Sequence, residues 1–173
     1  VRSINNQLGE LREMGFEIDM LIPQERTGVE EPRYLLRRGE LVTGLVVPTP
    51  GPRTGGTYLK FLPRTADDYA TVSAAAAVTL DEAGERCTHA RIALGCVGET
   101  PLRIRAAEDL LRGQPLSENL LRQAGETAKA AVDPLTDHRG SAAYKRDMAA
   151  VFTRRAVRAA WDRARQVLGA RGG

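Results

Sequence analysis

Two alternating stretches set most of what this chain can become. In one, Val72, Ala74, Ala76, Val78 and Leu80 alternate with Thr71, Ser73, Ala75, Ala77 and Thr79. In the other, Thr88, Ala90, Ile92 and Leu94 alternate with Cys87, His89, Arg91 and Ala93. A period of two puts successive side chains on opposite faces of a strand, and Asp81-Glu82-Ala83-Gly84-Glu85 between the runs supplies a turn with a glycine available for positive φ. With a short strand over Tyr58–Leu62, the expectation is an antiparallel sheet of three to four strands.

The pattern then changes period. Thr100-Pro101 offers a side-chain cap and a proline at a first helical position, and Gly113 follows Leu110 and Leu111 as a stop. A second helix is predicted from Ser117 to about Val132, ahead of Pro134. A third is predicted from Ser141 to about Leu168, with Tyr144, Met148, Val151, Phe152, Ala156, Ala159 and Ala160 recurring at three- and four-residue steps. Strands followed by helices is the order of an α+β sandwich, here with about three helices packed on one face of the sheet.

Before the sheet the chain reads differently. Residues 1–22 suggest a short helix leading into a strand, and the charged stretch 23–38 is broken by Pro23, Gly28 and Pro32. Gly39 to Val47 is β-rich and stops at Pro48, Pro50 and Pro52, which cannot continue a ladder. That cluster divides the chain into residues 1–52 and 53–173.

Composition narrows the class. Hydrophobic residues at 42% and charged residues at 27% describe a folding chain rather than a disordered one. No apolar run approaches the ~20 residues that cross a bilayer, and no charged start leads into an apolar segment, so no membrane partner and a cytoplasmic location are expected. Cys87 and Cys96 lie in one strand-like segment, roughly 30 Å apart if extended, too far to bond. With only His89 and His138 besides, no metal site is expected in this chain.

Charge is uneven. From Arg139 to Gly173 nine Lys/Arg face two acids, whereas sixteen face twenty elsewhere. Arg154, Arg155, Arg158, Arg163 and Arg165 invite a nucleic-acid reading. These arginines interleave with alanines around a helix that has Trp161 as its one stacking residue outside the apolar stripe, so a solvated or subunit-contacting face is expected, with no nucleic-acid partner. Catalytic sets are also missing: no nucleophile–base motif and no phosphate loop occurs. Asp67-Asp68 is a carboxylate pair whose neighbours in sequence point different ways, as in a solvated turn.

Several ordered pieces resemble a known family. They are Gly39-Glu40-Leu41-Val42 with Pro48; Tyr58-Leu59-Lys60-Phe61 with Arg64, Asp67, Asp68 and Ala70-Thr71-Val72; Ala90 to Gly95 with Gly98, Pro101 and Arg103; Ala106 to Gly113; and Asp137 to Arg146 with Arg154-Arg155-Ala156. Together they resemble the C-terminal part of the FAD-carrying medium subunit of molybdenum hydroxylases, the xanthine and carbon monoxide dehydrogenase type. The resemblance implies a component of an oxidoreductase complex, not catalytic alone, that helps hold the flavin between iron–sulfur centres and NAD, oxygen or another acceptor. Molybdopterin and 2Fe–2S cofactors then belong to partner subunits. The family's flavin-contacting lysine falls on Lys60, and a contact in the preceding β segment falls on Val42; without the resemblance these read as an exposed strand lysine and a core valine. The glycine-rich loops that hold the FAD pyrophosphate are not found before Val42, so residues 1–52 read as an incomplete remnant of the FAD-binding domain. A separate N-terminal half, a truncation or a piece of a longer subunit accounts for this. Cys96 stands where the family commonly has a second glycine, which a buried small thiol would accommodate. The competing class is an interaction module that keeps the fold without FAD.

Overall fold

Four strands lie side by side in sequence order: β1 (Thr54–Phe61), β2 (Val72–Leu80), β3 (Cys87–Gly95) and β4 (Leu102–Arg103). Every neighbouring pair is antiparallel. Helices follow as α1 (Arg105–Leu111), α2 (Glu118–Ala131) and α3 (Ala142–Gly169). This is the expected α+β order of sheet, then helices. The structure is a computed structural model that describes residues 49–62 and 69–169. The elements expected over residues 1–47, together with Val42, Arg64, Asp67 and Asp68, lie outside the described residues.

The turn between β2 and β3 forms for a local reason. Asp81 Oδ1 accepts the Glu85 and Arg86 N–H groups at 2.8 and 3.2 Å, while Gly84 takes φ 72°. Those N–H groups hold the Asp81 carboxyl below its ordinary range. A register shift between Thr79 and Leu80 then brings Leu80 opposite Cys87, not Thr88.

One face of the sheet carries Val72, Ala74, Ala76, Val78 and Leu80 of β2 with Ala90, Ile92 and Leu94 of β3, all buried. Against it run Ala149, Phe152, Ala156, Val157, Ala160, Trp161 and Ala164 of α3. Small residues on both sides let the layers approach closely. At Gly55 the approach is extreme, since a Cβ there would lie 2.2 Å from the Ala160 carbonyl oxygen and 2.3 Å from the Ala164 nitrogen. With 28 residues, α3 is about 42 Å long, enough to lie across β1 and β2. The α2 helix packs between α1 and α3. Its Ser117 hydroxyl accepts the Leu120 N–H at 3.1 Å, as its capping position predicts.

Two expectations need correcting. The first helix does not start at Thr100-Pro101. Leu102 and Arg103 pair with Leu94 and Ala93 as β4, and Ile104 N–H goes to the Ile92 carbonyl, so the ladder claims the residues that the cap signal assigned to a helix. Secondly, Cys96 is exposed, not a buried thiol, and adopts φ 63°. The thiol that is buried is Cys87, and loss of water pushes its pKa up to about 11. Both cysteines are free, as their separation predicts.

Candidate functional site

Alternation along β1 sends Thr57, Leu59 and Phe61 toward α3 and leaves Gly56, Tyr58 and Lys60 on the other face. Lys60 lies exposed on that face, opposite Ser73, which in turn faces Gly95. Tyr58, 60% exposed, is aligned with Ala75 and Ala93. Ser73, Ala75 and Ala93 are themselves buried, so at the Lys60 end of the sheet Tyr58 and Lys60 of β1 are the accessible side chains in these rows.

A second aromatic stands at the same end of the β1–β2 ladder. Tyr69 precedes Thr71, whose N–H donates to the Phe61 carbonyl at 2.9 Å. It is 77% exposed. Its ring lies under the Arg139 guanidinium, 5.5 Å from carbon to ring centroid, and its carbonyl accepts Arg139 Nε–H at 3.2 Å. Sequence reasoning passed over Tyr69, because a lone tyrosine between a carboxylate pair and a strand carries no periodic signal. Its only sequence cue is its place just before the predicted strand that begins at Thr71.

These groups are chemically suited to a flavin. An exposed ammonium offsets negative charge on a reduced ring or a phosphate, and exposed phenol rings offer flat apolar contact. What FAD also needs is a run of backbone N–H groups around its pyrophosphate. No such glycine-rich loop occurs among the described residues, so the fit is to one side of a flavin site.

The basic helix α3 is engaged within its own fold. Arg158 pairs with Glu118, Arg163 donates to the Gly56 carbonyl at 2.5 Å, Arg155 lies over Phe152, and the Arg154 stem packs beside Gly125. Trp161 is buried. The stretch from Arg154 to Arg165 thus offers no exposed ring alongside its cations, and none of the described helices is long and apolar enough to cross a membrane. Among the described residues no group of three or more His, Cys, Asp or Glu is placed to hold a metal.

Residues 57–160 match the family described as the CO dehydrogenase flavoprotein C-terminal domain. The chain belongs to this family. It corresponds to the C-terminal portion of the FAD-binding medium subunit of molybdenum hydroxylases, as the resemblance implied. Relatives of this flavoprotein domain include a carbon monoxide dehydrogenase medium chain from Afipia carboxidovorans, 42% identical over 127 residues that cover 73% of this chain and 43% of that one. A glyceraldehyde dehydrogenase medium chain from Sulfolobus acidocaldarius is 34% identical, with 70% and 42% covered. Among solved structures, reconstituted CO dehydrogenase from Oligotropha carboxidovorans superposes with a TM-score of 0.65 at 36% identity, covering 79% of this chain and 44% of that one. The chain therefore spans less than half the length of the medium chains it matches.

Proposed function

We propose that this chain forms one side of the FAD site in a molybdenum-hydroxylase-type complex. The observation that carries the reading is Lys60, the residue onto which the family's flavin-contacting lysine falls, standing exposed on the open face of β1 inside the matched domain. Bound FAD would supply electron relay between iron–sulfur centres and an acceptor. The residues of this chain bind and orient: Lys60 places a positive charge where the reduced ring or a phosphate is negative, and Tyr58 and Tyr69 present flat surfaces that exclude water. Val42 remains a proposed second contact, on the resemblance alone. The phosphate-holding side comes from glycine-rich polypeptide not found in this sequence, and the molybdopterin and 2Fe–2S centres from partner subunits, in a cytoplasmic assembly. Relatives named for carbon monoxide and glyceraldehyde share this domain, which supports placing substrate choice in the molybdenum subunit.

The test is an absorption spectrum of the chain purified alone and after co-expression with the products of its neighbouring reading frames. Flavin bands in the co-purified complex alone are expected. Lys60→Ala should strip flavin from that complex while leaving the circular dichroism of the chain unchanged; full flavin occupancy in the variant overturns the role of Lys60. The second reading is an assembly module that keeps the docking surface without the cofactor. A stable, colourless complex would select it.

A further inference from the structure

The sheet ends on β1, and the ladder shows which of its backbone groups face away from β2. Leu80 N–H donates to the Arg53 carbonyl at 3.0 Å, continuing the register that pairs Thr54 with Thr79 and Gly55 with Val78. Bonded pairs in an antiparallel ladder recur at every second residue, so Gly55, Thr57, Leu59 and Phe61 turn their backbone groups to β2. The Thr71 N–H that reaches the Phe61 carbonyl agrees with this phase. The N–H and C=O groups of Thr54, Gly56, Tyr58 and Lys60 therefore point to the outer edge of the sheet. Among the described residues no strand pairs along that edge, and Gly56 and Tyr58 are exposed.

An edge of this kind is a template for pairing with another chain. Gly55 and Gly56 give it no side-chain cover, and glycine-rich strands specify register weakly. Two-fold pairing of β1 with its own copy, centred on Tyr58, would set Lys60 of each chain against Gly56 of the other. No like charges meet in that arrangement, so the side chains of β1 do not oppose it. What stands in its way comes from α3, 107 positions further along the chain. Because Gly55 lacks a Cβ, the helix backbone lies against β1, and a Cβ there would be 2.9 Å from the Arg163 carbonyl carbon. From that position Arg163 Nη1 donates to the Gly56 carbonyl at 2.5 Å. The guanidinium thus takes the acceptor that Lys60 N–H of a second copy would need, and places a cation where the next strand would run, about 4.8 Å away.

We propose that Arg163 is an edge guard: it holds the outward carbonyl of Gly56 so that β1 does not pair with β1 of a second copy of this chain. Sedimentation velocity of the purified full chain over a range of concentrations tests it. Arg163→Ala should self-associate at least roughly tenfold more tightly than the wild type, since a charge-assisted hydrogen bond no longer competes for the edge. Arg163→Lys keeps a cation and an N–H donor on a long stem and should stay close to the wild type. In associated Arg163→Ala the Tyr58 amide should exchange more slowly, because pairing engages an N–H that faces out of the sheet. Tyr58→Pro removes that N–H and no bond to β2, and edge strands accept proline, so adding it to Arg163→Ala should restore the monomer. Arg163→Ala that is as monomeric as the wild type overturns the inference, as does a wild type already paired with its Tyr58 amide protected. Association that survives the added Tyr58→Pro overturns it too, and this arm exposes a variant that aggregates only because it unfolds.

Discussion

Gly55 shows how a single hydrogen atom in place of a methyl group determines a layer distance. It faces the α3 backbone where any Cβ would collide at 2.2 Å, and backbone cannot swing aside as a side chain can. Gly55→Ala should therefore destabilise the fold by about 1–3 kcal/mol or more, read from urea unfolding. Gly56 is the control: a Cβ there meets nothing nearer than 3.9 Å, so Gly56→Ala should cost well under 1 kcal/mol. A similar contrast separates the cysteines. Cys87 is buried with its thiol pKa pushed up to about 11, whereas Cys96 is exposed. Iodoacetamide at mildly alkaline pH should add one label to the folded chain, at Cys96, and two after denaturation. Two labels on the native chain would contradict the burial of Cys87. Neither contrast is legible in sequence: Gly55 meets a helix far along the chain, and Cys87 joins the core through the register shift that sets it opposite Leu80.

At the scale of elements, the sheet–helix order, the β2–β3 turn and the Ser117 cap were all readable from period and turn chemistry. The entry to α1 was not. The cap and proline at Thr100-Pro101 are sound local signals, yet tertiary pairing overrides them. Arg103 and Glu108 explain how. Glu108, 2% exposed, accepts the Ile92 N–H at 2.9 Å and both Arg103 Nε and an Arg103 terminal nitrogen at 2.8 and 2.9 Å. One carboxylate thus satisfies the β3 edge just where β4 ends and ties α1 to it. Removing the carboxylate deprives the Ile92 N–H and the part-buried Arg103 guanidinium of this acceptor, so Glu108→Ala should cost about 1–3 kcal/mol. Ile92 amide exchange in native conditions should accelerate more than that of Ala76 in the centre of the sheet. Equal protection at both positions in the variant would show that the carboxylate is not what closes this edge.

Across the whole molecule, the site was less legible than the fold. Lys60 could be picked out only through the resemblance, and the tie between Tyr69 and Arg139 spans 70 positions of the chain. Connections of that length leave no local pattern. The same long-range economy predicts how the chain responds to acid. Two carboxylates fasten its connections: Asp81, whose pKa is lowered chiefly by the Glu85 N–H, and Asp137, lowered chiefly by its hydrogen bond to Lys145 and then by the Arg139 N–H. For a group whose folded pKa lies below its unfolded value of 3.8, the unfolded chain takes up protons first as pH falls. The stabilisation is thus fully present above that value and is lost as pH drops through the lower folded pKa. Unfolding free energy measured by urea should therefore change little on account of these two groups at neutral pH and decline in acid below about pH 4–5. Asp137→Asn and Asp81→Asn should each lower the neutral plateau and make the acid limb shallower. A limb of unchanged slope in both variants would place the acid sensitivity on other carboxylates.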